Sequence, residues 1–209
     1  MKKYERYQDY VIKDGQLVGA FNEMYRDYED PLEQTYREEG SLEKMIVLEL
    51  MSQYGHKRAL EFGCGFGHYT SKIHTVIDCE CGVDVSDIAI KKARLRHPKP
   101  SFFVADLLDI SVIKNFNPDC ICLIEITWYV LDKLDEFKKL ISLTSKNAGF
   151  FHTLKTYGTG QQKYGLDYFT NLDEIMKYWS DSVDILNWGQ VNDLASGEGY
   201  RTFFYGKIK

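Results

Sequence analysis

The chain has 209 residues, 44% of them hydrophobic, and a formal net charge of −5, which suits one domain with a single well-buried core. The acidic balance argues against nucleic acid as a partner, because binding its backbone needs a basic surface. The sequence has no apolar run of membrane-spanning length and begins with polar and charged residues, so we expect no membrane segment, no signal peptide and a cytoplasmic location.

Residues 1–40 are rich in tyrosine and acid and form the first of two predicted units, ahead of a domain over residues 41–209. Disordered segments are poor in aromatic residues, so we predict one or two short helices that close over a ligand. Tyr25, Tyr28 and Tyr36 are the candidates for touching that ligand. For each tyrosine taken singly, packing is the simpler explanation.

A predicted helix over residues 41–54, capped by Ser41, leads into a short apolar run at 59–62 that predicts a strand. Three glycines follow it, Gly63, Gly65 and Gly67, and a helix is predicted to begin directly after them. Such a turn lets backbone N–H groups approach a ligand closely. A P-loop is excluded because no Lys-Ser/Thr pair follows, and Tyr69 occupies the position that the dinucleotide fingerprint gives to glycine.

Two further predicted strands end in an acid. The strand at 81–84 ends at Asp84, followed by Val85, and a carboxylate at this place accepts the hydroxyls of a ribose. The strand at 102–105 is followed by Asp106 and Leu107, where a side-chain acceptor suits the amino group of adenine and a backbone N–H suits a ring nitrogen. The three features in order predict an adenosine site whose ligand carries no pyrophosphate.

On these residues the chain resembles the class I S-adenosylmethionine (SAM)-dependent methyltransferases. Their first motif is similar to Glu61-x-Gly63-x-Gly65-x-Gly67, their ribose acid to Asp84, their adenine site to Asp106-Leu107, and their fourth motif to residues 117–125. The stretch 125–131 and the pair Asp30-Pro31 look most like small-molecule enzymes of the nodulation N-methyltransferase type. The resemblance implies SAM as cofactor, S-adenosylhomocysteine (SAH) as product and a small-molecule acceptor such as an amino sugar, a nucleotide sugar or a surface-polysaccharide precursor.

The rest of the chain predicts an α/β order: helices over 86–96, 134–146 and 172–179, and strands at 149–155, 183–188 and 200–208. The last two strands follow one another and must be antiparallel. Together with the resemblance, this predicts a doubly wound, mostly parallel seven-stranded sheet with helices on both faces and an antiparallel C-terminal hairpin. The ligand is expected over the carboxyl end of the strand at 59–62.

The five cysteines are interpreted as free thiols rather than disulfides. Cys79 and Cys81, like Cys120 and Cys122, are two residues apart in strand-like runs, so each pair shares one face. A zinc site would favour C-x-x-C spacing with a histidine in register. No metal site is therefore predicted.

Methyl transfer needs an acceptor lone pair in line with the donor, and a base wherever the acceptor carries a proton. The candidates are Glu125, His152 and Tyr129, with Glu125 also counted among the cofactor-binding residues; for His152 a structural core role is equally compatible with the sequence. Glu61 is expected to orient the methionine amino group through water, and Tyr157 with the loop 158–165 to line the acceptor pocket.

Two other classes of function remain open at this point. An oxidoreductase with a nicotinamide dinucleotide predicts a pyrophosphate site, which Tyr69 would crowd. A non-catalytic SAM-binding protein predicts tight binding without transfer. The sequence leaves open the acceptor, the choice between nitrogen and oxygen, and the oligomeric state.

Overall fold

The computed structural model describes residues 2–33, 41–157, 163–192 and 199–209. Within these ranges the helices are α1 (Phe21–Asp27), α2 (Leu42–Gln53), α3 (His68–Ile73), α4 (Asp87–Arg96), α5 (Ile110–Phe116), α6 (Leu134–Thr144) and α7 (Leu172–Trp179). The strands are β1 (Ile12–Lys13), β2 (Gln16–Leu17), β3 (Arg58–Phe62), β4 (Cys79–Asp84), β5 (Ser101–Val104), β6 (Cys120–Ile124), β7 (Gly149–Thr156), β8 (Val183–Asn192) and β9 (Tyr200–Ile208). Short 3-10 turns lie at Tyr7–Tyr10, Pro31–Glu33, Thr127–Tyr129 and Leu131–Lys133.

Seven strands form one sheet in the order β5-β4-β3-β6-β7-β9-β8. The pairs among β5, β4, β3, β6 and β7 are parallel, and β9 pairs antiparallel with both β7 and β8. The predicted mixed sheet with its antiparallel C-terminal hairpin is confirmed. The chain leaves β3 on one side for β4 and later returns to its other side with β6, so the crevice over the carboxyl end of β3 is the switch point where α/β sheets bind ligands.

Both faces of the sheet are covered. One core cluster joins alternate residues of the central strands, such as Leu60 and Leu123, to Phe137 and Ile141 of α6 and to α7. The other cluster joins the intervening residues to Val47 and neighbours on α2 and to α3. Parallel strands buried on both sides become continuous apolar runs, which is why residues 120–124 are buried throughout. All five cysteines are free, and four of them are buried.

Two of the predicted helices carry clear side-chain caps, whereas the predicted cap of α2 at Ser41 is wrong, because the Ser41 hydroxyl donates to Glu43 instead of accepting from a backbone N–H. The Ser86 hydroxyl accepts from the Ala89 N–H at 3.1 Å, and Asn171 Oδ1 accepts from the Glu174 N–H at 3.0 Å. Glu174 in turn accepts from the Thr170 N–H, one residue before the N-cap, which resembles the return bond of a capping box. Helix α5 was not predicted, although Asp109 caps it by accepting from the Ser111 N–H at 3.0 Å.

The segment of residues 2–33, called the N-terminal cap here, packs over the loop after β3 and against α4. Its core is a cluster of Tyr10, Met24 and Tyr25 with Phe66 and Ala89. One α-helix and two 3-10 turns agree with the predicted short helices, and the β1–β2 hairpin was not predicted. Tyr36 and residues 158–162 lie outside the described residues. No helix in the described ranges combines the length and the apolar character that a membrane crossing requires.

Candidate active site

A cavity of about 610 Å³ lies at the carboxyl ends of the central strands, beneath the N-terminal cap. Its floor contains residues that follow or end each strand: Gly63 after β3, Asp84 at the end of β4, Asp106 after β5, Glu125 after β6 and Lys155 near the end of β7. The cap closes it with aromatic side chains, among them Tyr7, Phe21 and Tyr25. The volume is within the range of cofactor sites.

The three glycines of the turn are all left-handed, with φ of 69° at Gly63, 54° at Gly65 and 77° at Gly67. At Gly63, which lines the cavity, a Cβ would come within 2.4 Å of Cγ2 of Ile126. At Gly67, which precedes α3, a Cβ would meet Cζ of Phe102 at 2.4 Å. The turn therefore needs glycine both for its backbone conformation and for close packing.

Asp84 is held in place by the turn itself. Its Oδ2 accepts from the Gly65 N–H at 2.9 Å, and its Oδ1 accepts from the Ser86 N–H at 2.8 Å. Burial raises the pKa of this carboxyl, and the two backbone donors oppose that rise. Because each carboxylate oxygen has further lone pairs, Asp84 can still accept the two hydroxyls of a ribose. Val85 beside it is half-exposed and also lines the cavity.

Asp106 and Leu107 lie at the next strand end, and both line the cavity. Oδ1 of Asp106 accepts from the Leu108 N–H at 3.1 Å, and Oδ2 pairs with the Lys133 ammonium at 2.5 Å. Burial acts to raise the pKa of Asp106, but the bonds from Lys133 and Leu108 outweigh it and hold that pKa below its ordinary value. Asp106 is thus kept as an acceptor, which suits an exocyclic amino group.

Glu125 is the residue in which the backbone turns away from β6, with φ of 62°. Its Oε2 accepts from the Lys155 N–H at 3.2 Å, while its buried Oε1 has no hydrogen-bond partner among the described residues. Burial raises the pKa of this carboxyl, and Lys44 and Arg201 oppose that rise through their charges. A buried hydrogen-bond acceptor without a donor costs free energy. We therefore expect a bound ligand to supply the donor for Oε1.

Glu61 and Tyr69 complete the wall near the glycine turn. The Thr70 hydroxyl donates to Glu61, which is 3% exposed and lines the cavity. The Tyr69 hydroxyl donates to the Lys44 carbonyl at 2.9 Å, so the aromatic ring is fixed in the wall beside the turn. This is the place where a dinucleotide would bring its pyrophosphate.

The other predicted site residues are placed differently. Tyr129 lines the cavity and contacts Phe21 of the cap, with ring centroids 5.9 Å apart. His152 is fully buried in the sheet, stacks on Phe204, and has its Nε2 2.8 Å from the Thr127 hydroxyl. His152 is not among the described residues that line the cavity. This placement favours a structural role over that of a catalytic base.

The predicted tyrosines of the cap also differ in whether they line the cavity. Tyr25 lines the cavity and packs on Phe66, with ring centroids 5.1 Å apart. Tyr28 lies in the aromatic cluster of the cap, where its hydroxyl donates to the carbonyls of Tyr4 and Glu5. A contact between Tyr28 or Tyr36 and a cofactor stays a prediction.

Several cavity residues were missed in the sequence, above all the cations Lys44, Lys133, Lys155 and Arg201. None belongs to a motif, and lysines and arginines are scattered along the chain. Only Lys155, at the end of a predicted strand beside the donor, stood in a position that could have singled it out. Tyr157, which was predicted to line the acceptor pocket, does line the cavity.

No protein-family model matches the chain, and no curated protein matches it. Solved structures do. The N-methyltransferase NodS from Bradyrhizobium japonicum, in complex with SAH, superposes with a TM-score of 0.70 at 14% identity over 90% of this chain and 97% of that chain. A SAM-dependent methyltransferase from Anabaena variabilis gives a TM-score of 0.64 at 15% identity, covering 95% and 98% of the two chains.

The magnesium protoporphyrin IX methyltransferase ChlM from Synechocystis, with bound SAH, gives a TM-score of 0.59 at 14% identity, covering 97% of this chain and 93% of that chain. The chain has the class I methyltransferase fold. At this identity the likeness establishes the fold alone, and the chemistry has to be argued from the site.

Proposed function

We propose that the chain is a SAM-dependent methyltransferase that transfers a methyl group to nitrogen or oxygen of a small polar metabolite. The observation that carries the proposal is the convergence of Gly63, Asp84, Asp106 and Glu125 on one cavity, each from a different strand end. In this arrangement Asp84 binds the ribose, Asp106 and Leu107 bind adenine, and the glycine turn allows close approach of the methionine part. The fold shared with the SAH complexes of NodS and ChlM supports this assignment.

The bound cofactor supplies a methyl group that its sulfonium has already activated. The residues of the chain therefore have to align the acceptor, exclude water and manage one proton. The cap excludes water through Phe21 and Tyr25, and Tyr129, from the turn after β6, closes the cavity with them. Glu125 is the group for the proton, because its Oε1 is buried and has no hydrogen-bond partner in the described part of the chain. Glu125 also directly follows β6, at the carboxyl end of the sheet where the cavity lies.

The acceptor that we propose within this class is an amino sugar, a nucleotide-linked sugar or a related precursor of a surface polysaccharide. The resemblance in residues 125–131 and the superposition on NodS support this choice. An amine acceptor has to be uncharged at the moment of transfer, and a hydroxyl acceptor has to lose its proton in the transition state. A carboxylate at Glu125 meets either requirement.

The first test is calorimetric titration of the purified chain with SAH, with NADH as the control ligand. We expect micromolar binding of SAH and none of NADH, since Tyr69 occupies the wall where a pyrophosphate would lie. Asp84→Ala should abolish SAH binding, whereas Asp173→Ala, at an exposed position of α7, should leave it unchanged. Binding of NADH alone would contradict the proposal in favour of redox chemistry.

Methyl transfer is tested separately from binding, by following SAH release from SAM with amino-sugar acceptors. Tight SAH binding without release from any amine or hydroxyl acceptor would identify a non-catalytic SAM-binding protein. This outcome would keep the assignment of Asp84 and remove the catalytic role of Glu125.

A further inference from the structure

Three cationic side chains line the end of the cavity that α2, β7 and β9 form: Lys44, Lys155 and Arg201. Among the described residues, Glu43 pairs with Arg201, and Glu125 interacts with Lys44 and Arg201 through its charge. Three cations at one end of a cavity stand out in a chain of net charge −5. A concave wall of low dielectric concentrates such a field on whatever enters the cavity.

Arg201 is fixed before any ligand arrives. Its guanidinium lies 3.4 Å from Oε1 of Glu43, a fully buried carboxylate that also accepts from the Ser41 hydroxyl. The Arg201 side chain is only 11% exposed, and it lines the cavity. A planar guanidinium that is already oriented and largely desolvated is the usual protein group for binding carboxylate or phosphate.

Lys155 is the neighbour of Arg201 across the sheet, since the two residues are paired in the β7–β9 register. Its backbone is held on both sides, because its N–H donates to Glu125 and its carbonyl accepts from the Trp128 indole at 2.8 Å. Its ammonium lies 5.5 Å from the centroid of the Tyr157 ring. Lys155 therefore lines the cavity with its ammonium near Tyr157, at the predicted acceptor pocket.

The cofactor would not neutralise this end of the cavity. The methionine part of SAM is a zwitterion, and its sulfonium adds one more positive charge. The Lys44 ammonium lies 6.0 Å from the centroid of the Tyr69 ring, beside the glycine turn, and it suits the cofactor carboxylate. Lys155 and Arg201, which also line the cavity, are the cations that we assign to the second ligand.

We propose that Arg201 and Lys155 bind an anionic group, a phosphate or a carboxylate, on the methyl acceptor while Glu125 faces the accepting atom. The assignment rests on the proposed methyl transfer and narrows the choice of acceptor. Among small polar metabolites it favours phosphorylated, nucleotide-linked or acidic sugars over neutral ones. The two cations also lower the pKa of a nearby acceptor amine or hydroxyl, because they disfavour its protonated form.

The test uses the SAH-loaded full chain and three matched probes: glucosamine, glucosamine-6-phosphate and 2-amino-2-deoxyglucuronic acid. We expect calorimetry to show at least one of the two anionic sugars binding about tenfold or more tightly than glucosamine, with the preference shrinking as salt is raised. The two anionic arms distinguish phosphate from carboxylate. Inorganic phosphate should bind weakly to the same site and compete with the preferred sugar.

Lys155→Met should reduce the preference for the anionic sugar about tenfold without changing the affinity for SAH. Arg201→Lys keeps the charge and should retain part of the preference, while Lys91→Met, on the exposed face of α4, should retain all of it. Equal affinity for the three sugars, or an unchanged preference in Lys155→Met, overturns the proposal. Those two outcomes would not affect the methyltransferase assignment. If the wild-type chain does not bind SAH at all, the methyltransferase assignment itself is wrong.

Discussion

At the level of single residues, a substitution at Glu125 can separate an effect on turnover from an effect on SAH affinity. Glu125→Gln keeps the size of the side chain and its acceptor towards the Lys155 N–H, but it removes the group that takes a proton. We expect SAM turnover to fall about a hundredfold, the lower end of general-base contributions, with SAH affinity changed by about twofold at most. Glu136→Gln on the exposed face of α6 is the matched control. Equal losses of turnover and SAH affinity would move Glu125 to the cofactor side.

Glu125 also sets an expected pH dependence. Burial raises the pKa of its carboxyl above the ordinary value, and a base works only when it is deprotonated. The rate kcat/KM should therefore rise with pH through an apparent pKa that is higher than that of a free glutamate. A pH profile of the Glu125→Gln variant should lack this acidic limb, and a limb that persists in the variant would assign the titration to another group.

Individual residues also explain why part of the site could be predicted from the sequence. Gly63 and Asp84 are tied to strand ends by local geometry, so a strand pattern followed by glycine or acid predicts them. Lys44 and Arg201 are more than 150 positions apart in the chain, and only the packing of α2 and β9 brings them to one cavity, so no short pattern encodes that meeting. Cavity walls made by long-range packing have to be read from the structure.

At the scale of elements, the strands and long helices followed their apolar periodicity, while the N-terminal cap did not. Its β1–β2 hairpin has two residues in each strand and is too short to leave a periodic pattern. The cap is organised by Tyr10, a fully buried residue whose hydroxyl donates to Asp27 at 2.5 Å and accepts from the Lys3 N–H at 2.7 Å. One hydroxyl thus joins the first residues to the end of α1.

Tyr10→Phe should loosen the cap while leaving the sheet intact. The ring keeps its edge contact with Tyr4, but Asp27 and the Lys3 N–H lose their shared partner. We expect a loss of about 1 kcal/mol in cap stability, faster hydrogen exchange in residues 2–33 and an SAH affinity several-fold weaker. Tyr54→Phe, which removes a hydroxyl bonded to Asn187 outside the cap, is the control. Unchanged exchange within the cap, or equal acceleration across the sheet, would contradict a closing role.

At the level of the whole molecule, the buried His152 and the half-buried His68 couple folding to pH. Burial lowers the pKa of His152 to about 3 from an ordinary value of 6.5, and it lowers that of His68 to about 4. These side chains are neutral in the folded chain and protonated in the unfolded chain between those values. At these two side chains the unfolded state then binds more protons, so their contribution to the free energy of unfolding falls as the pH drops below about 6.5.

For His152 alone the slope is about 1.4 kcal/mol per pH unit, the value for one proton. Urea unfolding of His152→Gln should give a pH dependence shallower than the wild type by about this amount between its two pKa values. Because His152 packs on Phe204 and away from the cavity wall, turnover of the variant at mildly alkaline pH, where it is folded, should match the wild type. Parallel stability curves together with lost turnover would instead show that His152 is reached by the substrate and acts as the base.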